Sequence, residues 1–424
     1  MTYRLLLSAL VVLAILQPSV QANVSEGAQP LKRTSVQNIL LKLKANHPEL
    51  KVPEQEWVLW KARQQQVRQW ENPTLQFSAE DFIGSSAYTD NFFTQYGVQV
   101  EQNLSWPHKR ALLEKVSDQR VRLAQQQYTK ALSQVFGKVY QELLQSMMLR
   151  RHGDLAKRRL ETLEQLVQLG RLWLGQGKVS RTWLLPFEQE LLRVQRHVQA
   201  QDMALQRSLQ KLRTWGMTKV SQPSEVQALV NQIERYIQSQ TLPAWQQSSV
   251  WQELEAEAQV NQSLVVQAQQ LQIPDVTVSG GVRYHTDQTW GGLLTMGLKA
   301  PLWHQYTEDI NVANARLAVN TKAQTALLAR VQLLWEQESM RLEDLKRQQE
   351  ILQAELALLE EEYALTYQAF LVGKINQWEL LRLSQRIQST QQEALDLSHQ
   401  EWSAYGDLFL MVYPFSEQMI KGDL

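Results

Sequence analysis

The feature that most limits the fold is a helical apolar pattern too long for any single globular core, and it occurs twice. After a strand-like segment beginning at Gly97 and a break at Trp106-Pro107, about seventy residues keep helical spacing without a proline, up to a Gly177-Lys178 turn. A second copy begins at Gly297, passes Pro301-Leu302-Trp303 and runs through another long helical stretch to Gly373-Lys374. The turns continue as Gly177-Lys178-Val179-Ser180-Arg181 and Gly373-Lys374-Ile375-Asn376-Gln377, followed by the leucine pairs Leu184-Leu185 and Leu380-Leu381. Both glycines and both pairs stand 196 residues apart, which reads as an internal duplication of a strand, long helix and turn unit.

A helix of that length reaches roughly 100 Å at 1.5 Å per residue and needs partners along all of it. In the first copy Leu112, Val116, Leu123, Leu132, Val135, Val139, Leu143 and Met147 carry the apolar face; in the second, Leu328, Val331, Trp335, Leu342, Leu345, Leu352, Leu356, Leu359 and Tyr363 do so. The returning segments, Leu184 to Trp215 and Leu380 to Trp402, supply antiparallel partners. The expected class is therefore mainly α in one elongated body. Duplicated strand-strand-long-helix units occupy residues 23–216 and 245–410, with a connecting segment at 217–244 and a C-terminal tail at 411–424.

Residues 1–22 place Arg4 before an apolar run from Leu5 to Leu16 and end in Val20-Gln21-Ala22, the order of a secretory signal cleaved after Ala22. That run falls short of the ~20 residues of a membrane-spanning helix, so entry into a membrane would have to be by strands. The 43 basic and 43 acidic residues cancel, which leaves no electrostatic footprint for nucleic acid. Cysteine is absent, which excludes disulfides and thiolate metal sites.

Asn72-Pro73 ends a helical pattern and the period changes to two. Leu75, Phe77 and Ala79 alternate with Gln76, Ser78 and Glu80; further on, Tyr96, Val98 and Val100 alternate with Gln95, Gln99 and Glu101. Pro274 repeats the stop. Val276, Val278, Val282 and Tyr284 then alternate with Thr277, Ser279 and Arg283, and Leu294, Met296 and Leu298 with Thr295 and Lys299. The expected strands cover about 74–83, 92–105, 275–285 and 291–301. Such alternation suits a half-buried soluble strand as well as the wall of a water-lined barrel. Four strands cannot close a barrel, so in lipid the barrel would be shared between chains: eight strands from two, or twelve from three.

No catalytic constellation is found. The seven histidines are dispersed without metal-ligand spacing, Val179 stands where a phosphate loop needs Ser or Thr, and there is no Gly-x-Ser-x-Gly elbow. No cofactor is expected.

The duplicated unit, the prolines before each strand pair, and the run Gln102-Asn103-Leu104-Ser105-Trp106-Pro107-His108-Lys109-Arg110 together resemble the TolC family of outer-membrane efflux channels. That run is similar to the Trp-Pro-Gly-Lys-Arg of the family's heavy-metal-efflux branch, with His108 replacing the glycine, and Ala300-Pro301-Leu302 resembles the second-copy strand end. The resemblance implies a homotrimer with a twelve-stranded β-barrel in the outer membrane and an α-helical tunnel through the periplasm. It implies docking of a periplasmic adaptor, joined to an inner-membrane pump, at tips carried by Gln176, Gly177, Lys178, Val372, Gly373 and Lys374. Candidates for the aperture gate beside the tips are Arg181, Trp183, Phe370, Ile375, Glu379 and Arg382, with apolar packing expected where the family has polar latches. Lumen candidates are Gln76, Ser78, Gln95, Gln99, Glu101, Thr277, Ser279, Arg283 and Lys299. The competing expectation is an elongated periplasmic coiled-coil adaptor or spacer with soluble strands.

Overall fold

The computed structural model describes residues 35–80, 95–104, 106–217, 222–240, 245–285, 288–301 and 305–415. The expected signal segment, the expected strand ends at 81–83, 92–94 and 105, Leu302-Trp303 and the end of the tail lie outside the described residues.

In chain order the elements are α1 (Ser35–Asn46), α2 (Lys51–Val67), β1 (Thr74–Glu80), β2 (Gln95–Leu104), α3 (Pro107–Gly175), α4 (Arg181–Thr214), α5 (Pro223–Gln238), α6 (Ser249–Gln270), β3 (Asp275–His285), β4 (Trp290–Lys299), α7 (Thr307–Leu371) and α8 (Gln377–Val412). Each strand pair thus precedes one very long helix, of 69 and 65 residues, and one returning helix, of 34 and 36. Pro107 opens α3 at a position where its missing N–H costs nothing.

The long helices are held by neighbours and not by one core. α3 is the spine: α2 and α6 lie along it toward the strands, and α4 and α8 toward the far turns. α7 packs on α6 and then on α8. One flank of the molecule is therefore α2 followed by α4, and the other is α7, whose last turn comes in against α3 and α4 at Phe370. A belt midway collects α1, α5 and the end of α8 around α3. There Leu40, Leu43, Tyr140, Leu144, Val230, Ile233 and Phe409 are buried together.

The four strands form one antiparallel sheet in the order β1-β2-β3-β4. Its outer strands adjoin the two flanks: β1 follows α2, and β4 leads into α7. The run Trp106-Pro107-His108-Lys109-Arg110 rivets sheet to helices. Trp106 Nε1 donates to Pro274 O at 2.8 Å, and Lys109 Nζ donates to Ile273 O and pairs with Asp275, each at 2.6 Å. Arg110 donates to Arg68 O and covers the Trp70 ring at 4.1 Å.

Candidate functional site

The first candidate surface is the sheet. Its register places Gln76 opposite Gln99, Glu101 opposite Ser279, and Arg283 opposite Gly97, with Thr277 facing Gly297 and Lys299 facing Asp275. Because side chains alternate with a period of two, all nine sequence-predicted polar positions share one face. The opposite face carries Leu75, Phe77, Tyr96, Val98, Val282, Leu294, Met296 and Leu298, and it is bare: Phe77 is 73 % and Leu294 76 % exposed.

The polar face is knitted across strands. Gln76 Nε2 donates to Glu101 at 2.8 Å, Gln99 donates to Gln76, and Arg283 donates to Gln95 at 2.8 Å and pairs with Glu80 at 3.5 Å. Asp275 beside Lys299 is already engaged by Lys109. Ser279 is buried. Gly281 shows how closely the backbones approach on this face, since an added Cβ would lie 2.3 Å from Val98 O. Only a residue without a Cβ fits there, which is a place for glycine in a strand.

The second surface is the pair of turns. After α3, Gly177 adopts φ +68°, its N–H bonds to Leu174 O at 3.0 Å and the Lys178 N–H bonds to Trp173 O at 2.9 Å. After α7, Gly373 adopts φ +76°, with Gly373 N–H to Phe370 O at 3.0 Å and Lys374 N–H to Ala369 O at 3.0 Å. Both are the paired hydrogen bonds that close a helix through a left-handed glycine. Three residues later the next helix is capped: Ser180 Oγ accepts from Trp183 N–H, and Asn376 Oδ1 from Trp378 and Glu379 N–H. Gln176, Gly177, Lys178, Val372, Gly373 and Lys374 are all exposed, and an added Cβ on either glycine meets nothing within 4 Å.

The expected gate residues divide. Trp183 and Phe370 stack on one another at 5.8 Å, within a cluster that includes Trp173 and Phe187, and Phe370 is buried. Their apolar packing joins the two hairpins of one chain. Ile375 is half-buried, while Arg181, Glu379 and Arg382 are exposed. Arg181 pairs with Glu188 at 2.6 Å, and Arg181, with Arg171, holds that carboxyl below its usual range.

What the sequence reading missed is a second apolar stripe on α7. Val319, Leu333, Met340, Ile351, Leu358 and Leu365 are 54–70 % exposed, and each step is seven, eleven or fourteen residues, close to whole helical turns. The opposite flank has its own exposed series: Val52 and Leu59 on α2, then Leu185, Leu192 and Met203 on α4. Two stripes on one helix ask for two partners. That count was the available signal.

Among the described residues no group of three or more His, Cys, Asp or Glu could hold a metal ion, and no helix is long and apolar enough to cross a membrane. A four-stranded antiparallel sheet, apolar on one face and polar on the other, set on helices of some 65 residues that pair through capped glycine turns, is the arrangement of the TolC-type fold of outer-membrane channels.

Solved structures bear this out. The chain is similar to CusC at TM-score 0.70 and 13 % identity over 89 % of this chain and 92 % of that one. It matches the Campylobacter jejuni CmeC outer membrane channel at 0.70 and 11 %, over 92 % and 89 %. The Vibrio cholerae outer membrane protein VceC gives 0.70 and 11 %, over 89 % and 95 %. At such identities the likeness establishes the fold. No family model matches the sequence and no curated protein is similar to it.

Proposed function

We propose that the chain is the outer-membrane duct of a multi-component exporter, acting as a homotrimer that passes cargo through a shared twelve-stranded barrel and a helical tunnel crossing the periplasm. One observation carries this reading: the flanks that lack partners match at every level. The sheet ends in β1 on the α2–α4 flank and β4 on the α7 flank, and each flank bears an exposed apolar stripe. A head-to-tail contact of one flank with the other repeats until the ring closes, and closure pairs β4 with the next chain's β1. Three chains give a twelve-stranded wall with no open edge, as lipid requires.

The bare apolar face then meets lipid and the polar face lines the bore. Trp70 and Trp106 toward the helices and Tyr284 and Trp290 at the far end stand where interfacial aromatics belong. With Arg283 offset by Glu80 and Lys299 beside Asp275, the bore has little charge preference, so cargo selection falls to the pump. The chain supplies a passage and no chemistry; the pump supplies the energy. The matching element order of residues 23–216 and 245–410 supports an ancestral duplication. At the tips, the exposed turns from Gln176 to Lys178 and from Val372 to Lys374 receive a periplasmic adaptor. Since Trp183 and Phe370 are engaged within the chain and Arg181 is paired with Glu188, closure of the aperture between chains falls to Ile375, Glu379 and Arg382.

An elongated soluble spacer would expose the sheet's apolar face to water, a patch of a kind soluble monomers avoid. Fractionation and planar-bilayer recording test the choice. A heat-sensitive oligomer in outer-membrane vesicles that conducts ions after reconstitution supports the duct; a soluble monomer without conductance refutes it.

A further inference from the structure

Where the helices meet the sheet, α2, α3 and the end of α6 form an open cavity of about 220 Å³. At its end away from the strands, Arg63 of α2 and Arg120 of α3 both cover the ring of Trp60, at 4.7 and 5.0 Å. The two guanidinium groups therefore repel within one screening length, roughly 10 Å at 0.1 M salt. Neither meets a carboxylate among the described residues. The two acids on this stretch of α3 are engaged elsewhere: Asp118 with Gln64 at 2.6 Å and Arg68 at 3.5 Å, and Glu114 with Arg110 at 3.5 Å. No acid lines the cavity, whereas Gln66, Ser117 and Gln267 add neutral hydrogen-bonding groups. Two uncompensated cations beside such groups suit an anion with several acceptor oxygens.

The walls change character toward the sheet. Val67 and Leu113 lie closer to it than Arg63 and Arg120 do, because α2 runs into β1 and α3 leads out of β2. Beyond them stand Trp70 and Trp106, 65 % and 41 % exposed. Cations away from the strands and apolar groups toward them follow the order of a phospholipid, headgroup to chain. We infer that the cavity binds the phosphate headgroup of an anionic phospholipid from the leaflet that faces the periplasm. The levels agree: Arg63 is seven residues from Trp70, about 10 Å of helical rise, and headgroups extend about 5–7 Å beyond the hydrocarbon, a gap that a guanidinium on its flexible stem spans. The side of the helices agrees as well. Arg120 and Lys138 stand eighteen residues apart on α3, a whole number of turns, and Lys138 reaches Glu49, which follows α1 of the belt, at 2.6 Å. A belt inside the bore would block it, so this face looks outward, where lipid is. The inference rests on the reading of the sheet as a membrane wall, and it adds a lipid class and a binding place.

The test uses native mass spectrometry of the full-length oligomer, delipidated in detergent and titrated with phosphatidylglycerol or phosphatidylcholine. Phosphatidylglycerol is expected to bind at least about tenfold more tightly, which two cations near a membrane surface suffice to provide. Arg63→Gln with Arg120→Gln should bring the two lipids close to parity, and Arg63→Lys with Arg120→Lys should keep a preference, the oligomer remaining whole in each. Parity in the unaltered protein, or a preference untouched by the glutamine pair, overturns the inference. Inorganic phosphate that displaces the lipid at millimolar concentration overturns it in favour of a small-anion site. An oligomer that falls apart on the glutamine pair overturns it in favour of a contact between copies. The same spectra count the chains: three chains without a lipid preference sink this inference alone, while single chains sink the duct whatever lipid they carry.

Discussion

The indole of Trp183 lies 5.8 Å from the ring of Phe370 and 16° from parallel to it, so the start of α4 is fastened to the end of α7 although 187 positions separate them. Trp173 and Phe187 complete the cluster at 5.9 and 6.2 Å from Phe370. Phe370→Ala removes a ring from a filled site and should cost about 3–5 kcal/mol of local stability. Limited proteolysis at the tips measures it: cleavage between the hairpins should accelerate, and Trp183→Ala should do the same to a smaller degree. If Trp183→Ala raised conductance with no change in protease resistance, the ring would be an aperture residue after all.

The two glycine turns give a second prediction. Gly177 and Gly373 sit at φ +68° and +76° in open space, so an added methyl group clashes with nothing and only the left-handed backbone resists it. Gly177→Ala and Gly373→Ala should each cost about 1–2 kcal/mol, and the asparagine variants less. Thermal unfolding of the single and double variants checks both the size and the additivity, the turns being built alike.

At the sheet–helix junction, Lys109 is nearly enclosed and holds both Ile273 O and Asp275 at 2.6 Å. Lys109→Met leaves a carboxylate and a carbonyl without their donor and should cost about 1.5–3 kcal/mol, seen as a lower melting temperature in detergent. Asp275→Asn keeps one acceptor and should cost less. The substitution His108→Gly, which restores the residue at that place in the resembling motif, should be nearly neutral because His108 only stacks on Trp106 at 6.3 Å.

Acid should weaken the belt through His47. Its side chain is buried, burial followed by Lys138 pushes its pKa below the ordinary 6.5, and Glu49 opposes this. Above pH 6.5 folded and unfolded chains are both neutral there, so the stability is fully present. As pH falls below 6.5 the unfolded chain takes the proton first, and stability drops by up to about 1.4 kcal/mol per pH unit until the folded value is passed. His399 has the same sign, whereas Glu401 and Asp407, raised by burial, gain on acidification through the carboxylate range. Urea midpoints between pH 7 and 5 should fall for the native chain and fall less for His47→Leu.

Much of this architecture was legible in the residues. Period two at Val276, Val278, Val282 and Tyr284 gives the faces of β3, because a strand offers only two choices. The paired Gly-Lys turns are visible because a left-handed helix stop needs glycine. Neighbour choice was not legible. An apolar stripe such as Leu342, Leu345, Leu352 and Leu359 says that a helix is packed but not on what, and nothing local marks Trp183 as the partner of Phe370. The Trp106 to Arg110 run shows the same limit: its bonds go to Arg68, Ile273, Pro274 and Asp275, three of them more than 160 residues away. The second stripe of α7 hid behind the first, since apolar residues on two faces of one helix blur each other's periodicity.

Native mass spectrometry of the full-length chain, extracted from outer-membrane vesicles in lipid nanodiscs, tests most directly whether the free flanks of one copy meet those of the next. The account predicts particles of three chains, and their loss to single chains when Leu358→Glu and Ile351→Glu break the α7 stripe. Particles of one chain from the unaltered protein, or three chains that survive both substitutions, would contradict it.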